Sequence, residues 1–285
     1  MKSHLLAALL CVLAIPGYAQ DPACARSYYQ GTAPIVANAR LAQGATELCF
    51  TEFAVMHSPL SRAAIWSAEH LTPSRIRAAR SLQRADAFHP DSRLPSKDRA
   101  ELADFARSGL DRGHLAPSGD MSTPEARYES FTLSNIVAQD PDNNRHLFAG
   151  IEMAVRNLVE RRGSLYVITG PLFTGAKVKQ LNGRVLVPDR IFKVVFDPAA
   201  QKGAAYVVNN EPGTAYEVVS LPELEAMAGL VFFPSLPAEA KASKLPLPRP
   251  ELRGRSDRGI EKSAERVLKD LFPGSTTTHA IGNSQ

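Results

Sequence analysis

Three short runs constrain the fold most: residues 165–169 (LYVIT), 191–196 (IFKVVF) and 204–208 (AAYVV). Each is rich in β-branched or aromatic residues and bounded by Gly, Pro, Asp or Asn, the pattern of central sheet strands. An earlier stretch, residues 49–57 (CFTEFAVMH), alternates as one strand. Residues 58–61 then mark a turn before a second extended run over 63–66, so an opening hairpin is expected. Residues 71–99 are polar and lack a sustained period, which predicts long surface loops with one short helix. A further extended segment, 110–115, stops at Ala116 to Gly119. After Asp142 a helix begins, with Leu147, Ile151, Val155 and Leu158 as its apolar stripe and Arg161, Arg162 and Gly163 as its end. Residues 221–228 read as a short helix. Pro237, Pro246, Pro248 and Pro250 then mark a loop-like linker, and Ile260, Ala264, Val267, Leu268 and Leu271 the stripe of one more helix before a polar tail. With 285 residues, 44% hydrophobic, one large core is the default. No internal repeat is present.

The N-terminus carries Lys2, an apolar run from Leu5 to Ile15, and small residues leading to Ala19. This reads as a signal peptide cut after Ala19, the run being short of the roughly 20 residues a membrane span needs. No other segment is apolar enough to cross a bilayer, so the mature chain is expected to be secreted or periplasmic. Removing residues 1–19 takes Cys11 away and leaves Cys24 and Cys49, an even pair in an oxidising compartment, so a Cys24–Cys49 disulfide is expected. The expected organisation is a signal at 1–19, a catalytic domain at 20–236, and a linker, helix and flexible tail at 237–285. Formal charge is +4, from 33 basic and 29 acidic residues, which permits a polyanionic partner without establishing one.

The chemistry concentrates in DRGHLAPSGDM, from Asp111 to Met121, and SNIVAQDPDNNRHLFAGIE, from Ser134 to Glu152. In an extended segment Arg112 and His114 share a face and Asp111 takes the other, while Gly113 lets another backbone or a ligand come close. Arginine beside histidine suits phosphodiester hydrolysis, because guanidinium holds phosphate oxygens in a bidentate grip while imidazole takes a proton from water near neutral pH. Asn144, Phe148 and Glu152 follow at i, i+4 and i+8. About 12 Å of helical rise separates Asn144 from Glu152, too far for both to touch one ion directly. Glu152 leans back toward the helix N-terminus and reaches such an ion through water, a sparse coordination that suits Mg²⁺. Asn143 competes with Asn144 as ligand on these grounds alone.

DRGH, then SN, then NN with a Glu eight positions beyond, resembles the DNA/RNA non-specific endonuclease family, the ββα-metal nucleases. The similarity extends from about Phe50 to Pro234 and takes in FAVMHSPLSRAAIW, LYVITGPLF and the final FFP. The resemblance implies an α+β fold with a mostly antiparallel central sheet flanked by helices and long loops. It implies His114 as general base, Arg112 as the group that neutralises the scissile phosphate, and Asn135 as a residue that positions the site. It further implies Asn144 as the direct ligand of one Mg²⁺, with Mn²⁺ or another divalent cation able to substitute, and Glu152 as an orderer of that ion's water. Arg62 falls where the family often has a phosphate-binding arginine, though the match around it is loose and an ordinary solvated arginine is the other reading. DNA and RNA are the implied substrates, with 5′-phosphate products. Family members are commonly homodimers, and no feature of this sequence decides the assembly.

Other readings stay open at this stage: a catalytically idle nuclease-like domain that binds nucleic acid or protein, or a phosphodiesterase of a small or lipid substrate. The remaining polar residues take structural readings. His146 points round the helix; His57, His70 and His89 lack ligand-spaced partners; Asp120 bonds local backbone; and Lys193 either touches substrate or packs by its stem.

Overall fold

The computed structural model describes residues 22–83, 87–175 and 177–252. The expected signal peptide, the helix from Ile260 to Leu271 and the polar tail lie outside these residues. In chain order the elements are β1 (Thr46–Cys49), β2 (Phe53–Ser58), β3 (Ala63–Leu71), α1 (Pro73–Ser81), β4 (Asp111–His114), α2 (Pro124–Ser130) and β5 (Ile136–Gln139). A π-helical stretch, Asn143–Phe148, runs into α3 (Ala149–Arg162). Then come β6 (Leu165–Leu172), β7 (Arg190–Asp197), β8 (Lys202–Asn209), β9 (Tyr216–Val219), α4 (Leu221–Ala228) and α5 (Ala238–Ala242).

Seven strands form one sheet in the order β9-β8-β7-β6-β3-β2-β1, antiparallel at every junction. The three β-rich runs are its centre. Their alternate side chains are apolar at both parities, so both faces must be covered. Phe53, Val55, Val167, Ile191 and Val195 pack with Leu147, Ile151, Val155 and Leu158 on the side of α3. Ala54, Met56, Trp66, Ile168, Phe192 and Val194 pack on the opposite side with Tyr28, Leu221, Leu224 and Phe232. The predicted stripe of the long helix is therefore its buried face.

Local chemistry ends the helices where the sequence directs. Thr72 caps α1 by accepting from Arg75 N, and Thr123 caps α2 by accepting from Ala126 N. Ser220 and Glu223 form a capping box at α4, which Gly229 closes in the left-handed region at φ 64°.

Three expectations need correction. Residues 49–57 are two paired strands, with Cys49 opposite Ala54 across a turn at 50–52. That turn is held by groups far along the chain: Thr51 N donates to Glu129 Oε2 (2.7 Å), and Glu52 accepts from Ser122 N (2.7 Å) and the Ser122 hydroxyl. The strand after the second turn runs on to Leu71, because residues 67–71 pair with β6. The segment after Pro237, read as a linker, packs on the domain as far as it is described. Leu245 is buried in the core cluster that α3 shares, Leu247 and Leu252 lie against that cluster, and Pro248 O accepts from Tyr206.

Cys24 and Cys49 are joined by a disulfide, with Cα atoms 4.9 Å apart, tying the first described turn to β1. Among the described residues no helix is long and apolar enough to cross a membrane.

Candidate active site

β4 and β5 form a two-stranded ribbon outside the main sheet, with Asp111 opposite Gln139, Gly113 opposite Val137 and His114 opposite Ile136. The ribbon leads through residues 140–142 into the π-helical stretch and α3, so strand, strand and helix bring DRGH against the start of the long helix. Between them lies a cavity of about 660 Å³, lined by Phe88, Asp111, Arg112, His114, Pro117, Ser118, Gly119, Arg127, Asn144, Arg145, Ala149, Glu152 and Arg156. Four guanidinium groups against two carboxylates make it electropositive.

Arg112 and His114 meet the same aromatic ring, as their shared strand face requires. The Arg112 guanidinium sits 4.3 Å over Phe88, and the imidazole lies 5.4 Å from Phe88 and 4.8 Å edge-on from Phe131. The rings fix the histidine's plane by packing. Gly113 accommodates a protein side chain rather than another backbone or a ligand: a Cβ there would stand 2.0 Å from Gln139 Oε1 and 2.8 Å from Gln139 Cβ.

Gln139 donates from Nε2 to Asn143 Oδ1 at 2.8 Å, and Asn143 donates to Asn209 O at 2.9 Å. Asn143 is buried and committed to these two bonds, which removes it as a ligand. Asn144 is the neighbour that faces the cavity. Its Nδ2 donates to Asp111 Oδ2 at 3.0 Å, and since a carboxylate only accepts, the amide oxygen is the end left for a cation. Arg145 grips the same carboxylate with Nε at 2.8 Å and Nη2 at 2.6 Å. Partial burial alone would raise the Asp111 carboxyl, but the bonds from Arg145 and Asn144 outweigh it and hold it below the usual range.

Glu152 stands on the same wall, its side chain 17% exposed, with Oε2 accepting from Arg156 Nη2 at 3.3 Å. Burial pushes its carboxyl up, and the positive charges of Arg156 and Lys193 oppose that push. Among the described residues no three His, Cys, Asp or Glu side chains converge on a metal position. The donors present, one amide oxygen and one carboxylate on the wall of a cavity with room for many waters, fit a cation that keeps most of its water.

The remaining expected residues separate cleanly. Asn135 is fully buried and bonds in every direction: Oδ1 accepts from Ser67 Oγ (2.7 Å) and Ala116 N (3.0 Å), and Nδ2 donates to Ala116 O (2.8 Å) and Ser130 O (2.9 Å). It ties the segment after His114 to β3 and α2. Arg62 lies apart from the others. Its backbone is left-handed at φ 53°, and its guanidinium donates to Lys97 O (2.9 Å) and Arg184 O (2.7 Å), away from the cavity lining.

Asp120 is a further correction: it accepts from Arg156 Nε, thirty-six residues on, in place of local backbone. Lys193 is buried, with Nζ donating to Thr169 Oγ1 (2.6 Å) and Leu115 O (3.3 Å), so it supports the floor and does not reach the cavity. His146 Nδ1 donates back to Asp142. His57 bonds Asp98 O and His70 bonds Ser164. Neither lines the cavity, and nor does His89.

Residues 31–239 match the family described as DNA/RNA non-specific endonuclease. The chain belongs to that family. Members of this endonuclease family are metal-dependent, in keeping with the donor set just described. The chain is 36% identical over 214 residues to the mitochondrial nuclease EXOG of Danio rerio, covering 68% of this chain and 62% of that protein. It is 33% identical over 204 residues to nuclease C1 of Cunninghamella echinulata var. echinulata, covering 65% and 81%. Among solved structures, EndoG in complex with EndoGI is similar at a TM-score of 0.62 and 25% identity, over 70% of this chain and 92% of that one. The chain thus spans less than two thirds of the length of the zebrafish relative. This nuclease likeness covers both the sheet and the ribbon-helix site.

Sequence reasoning missed Arg145, Arg156 and Phe88. Arg145 directly follows Asn144 and Arg156 stands at i+4 from Glu152, and only the second spacing was a usable signal. Phe88 sits in a loop, and no local pattern marks it.

Proposed function

We propose that this chain is an endonuclease that hydrolyses phosphodiester bonds of DNA and RNA without strong sequence preference, using Mg²⁺ and leaving 5′-phosphates. The observation that carries the reading is the placement of His114 and Arg112 side by side on Phe88, facing Asn144 and Glu152 across one arginine-lined cavity. His114 acts as general base and takes a proton from the attacking water. Arg112 binds the scissile phosphate. Water oxygen bonds to phosphorus as the bond to the 3′ oxygen breaks, so the phosphate stays on the 5′ oxygen of the downstream fragment and the upstream fragment leaves with a 3′ hydroxyl. Asn144 would hold the cation through its amide oxygen and Glu152 through water. When bound, Mg²⁺ supplies charge stabilisation for the phosphorane-like transition state and the leaving oxygen. Asn135 positions the turn after His114.

The arginine lining suits a polymer of phosphates, whereas a lipid substrate calls for an apolar pocket. Neither sugar nor base is required by this chemistry, so both nucleic acids serve. The N-terminal apolar run and the Cys24–Cys49 disulfide support an exported, oxidising location.

Mature protein and His114→Ala are incubated with plasmid DNA and with RNA, each with Mg²⁺ and with EDTA. Cleavage by wild type with Mg²⁺ alone, absent in the variant, is the expected result; intact substrate in every wild-type lane overturns the proposal.

A further inference from the structure

Tyr128 is 55% exposed on α2, unusual for so large a ring. Its inner face lies flat on His89, with centroids 4.4 Å apart and planes 7° from parallel. His89 is firmly held: Nδ1 donates to Ala87 O (2.7 Å), its backbone N donates to Phe131 O (3.3 Å), and its carbonyl accepts from Leu133 N (2.8 Å). With one ring face covered and more than half the residue exposed, the opposite face of Tyr128 looks into solvent. The stack is a rigid, flat platform with one side open.

Its position gives it a use. His89 follows Phe88 and Tyr128 follows Arg127, and both Phe88 and Arg127 line the electropositive cavity. Each ring of the platform is thus carried by a residue whose chain neighbour, about 3.8 Å away between Cα atoms, belongs to the cavity wall, on two separate elements. A cationic groove beside an exposed aromatic face is how proteins hold single-stranded nucleic acid, since every base has a π-face to stack. Bases inside a duplex have both faces covered by their neighbours.

We propose that the open face of Tyr128, backed by His89, stacks an unpaired base next to the scissile phosphate and makes the enzyme favour single-stranded over duplex substrate. The proposal rests on the nuclease reading and adds a strand preference to it. The stacked base is held equally before and during reaction, so its contribution falls in KM rather than kcat.

The test compares wild type, Tyr128→Ala and Tyr128→Trp on a single-stranded oligonucleotide of about 12 nucleotides and on its duplex, with Mg²⁺. It also measures binding of the same two probes by anisotropy in EDTA. Tyr128→Ala should lower kcat/KM on the single strand about 5- to 10-fold, at the lower end of stacking by one base. The loss should come through KM, with a matching loss of single-strand binding, while duplex cleavage stays within about twofold and Tyr128→Trp behaves as wild type. Tyr128 is a surface helix position, so the alanine variant should fold; an altered melting temperature without an altered strand ratio would mark a purely structural ring and overturn the proposal. Equal losses on both substrates, or none, also overturn it while leaving the nuclease reading intact. A wild type that cuts neither probe overturns both.

Discussion

Two adjacent asparagines provide a sharp test of the site, because the structure gives them opposite duties. Asn143 is buried and makes two bonds, from Gln139 Nε2 and to Asn209 O. Asn143→Ala strands the buried Gln139 Nε2, while the carbonyl of Asn209, an exposed residue, can turn to water. Each lost bond costs about 1 kcal/mol and the one stranded buried amide about 1–3 kcal/mol, with overlap between the two, so a total of roughly 2–4 kcal/mol is expected. For a chain of this size, at about 2–4 °C per kcal/mol, the melting temperature should fall by roughly 5–15 °C. Asn144 is half-buried and makes one bond, to an Asp111 carboxylate that Arg145 still grips twice after its loss. Asn144→Ala should therefore cost no more than about 1 kcal/mol. Thermal unfolding in EDTA and across a Mg²⁺ titration separates the two, since a bound ion raises the melting temperature by mass action. Asn143→Ala should melt early yet keep its upward shift with Mg²⁺; Asn144→Ala should melt near wild type in EDTA, lose the shift, and lose plasmid cleavage. The reverse pattern, with Asn144→Ala retaining the shift and the activity, would refute the division of labour.

Gly113→Ala pushes a methyl into a Gln139 side chain that cannot swing away without releasing Asn143. Overpacking of about 1–3 kcal/mol and a fall in cleavage rate are expected; calorimetry that finds wild-type stability would show that the strand yields freely. Glu69 is buried among Arg75, Arg156, Lys193 and Asp120, and burial with the Asp120 charge pushes its carboxyl up to about 8 against the pull of the three cations. A raised carboxyl favours the fold most below its unfolded value of about 4.3, and that contribution is lost as pH rises through the folded value. Glu69→Gln cannot ionise, so its melting temperature should gain on wild type between roughly pH 5 and pH 9. A difference that stays flat with pH would contradict the buried-acid account.

Much of the fold was legible because the deciding signals were local. The strands of the sheet centre, the stripe from Leu147 to Leu158 and the α4 helix at 221–228 are read from neighbours within one or two turns. What escaped depends on partners distant in sequence. The turn at 50–52 needs Ser122 and Glu129; Asp120 needs Arg156; Arg62 needs carbonyls at Lys97 and Arg184. The π-helical opening of the long helix left no mark in the period of its apolar residues. At the site, the sequence put Arg112 and His114 on one face from strand geometry, and family spacing chose Asn144. The burial of Asn143 and its hydrogen bonds with Gln139 and Asn209, which only the folded chain brings together, explain why it, equal in chemistry, is not available.

The last described residues carry a consequence for how this protein can be cut down. The family match ends at residue 239, yet Leu245 is buried in the core that α3 shares, and Glu251 O crosses so close to Gly150 that a Cβ there would stand 2.3 Å from it. Gly150 lies two residues before Glu152, so a backbone crossing rests directly on the helix that presents the carboxylate. A minimal domain trimmed to the family boundary would open that seam and bare an apolar trough along the helix. A purification handle or a fusion partner is therefore better placed beyond residue 252 than at the point where sequence similarity fades.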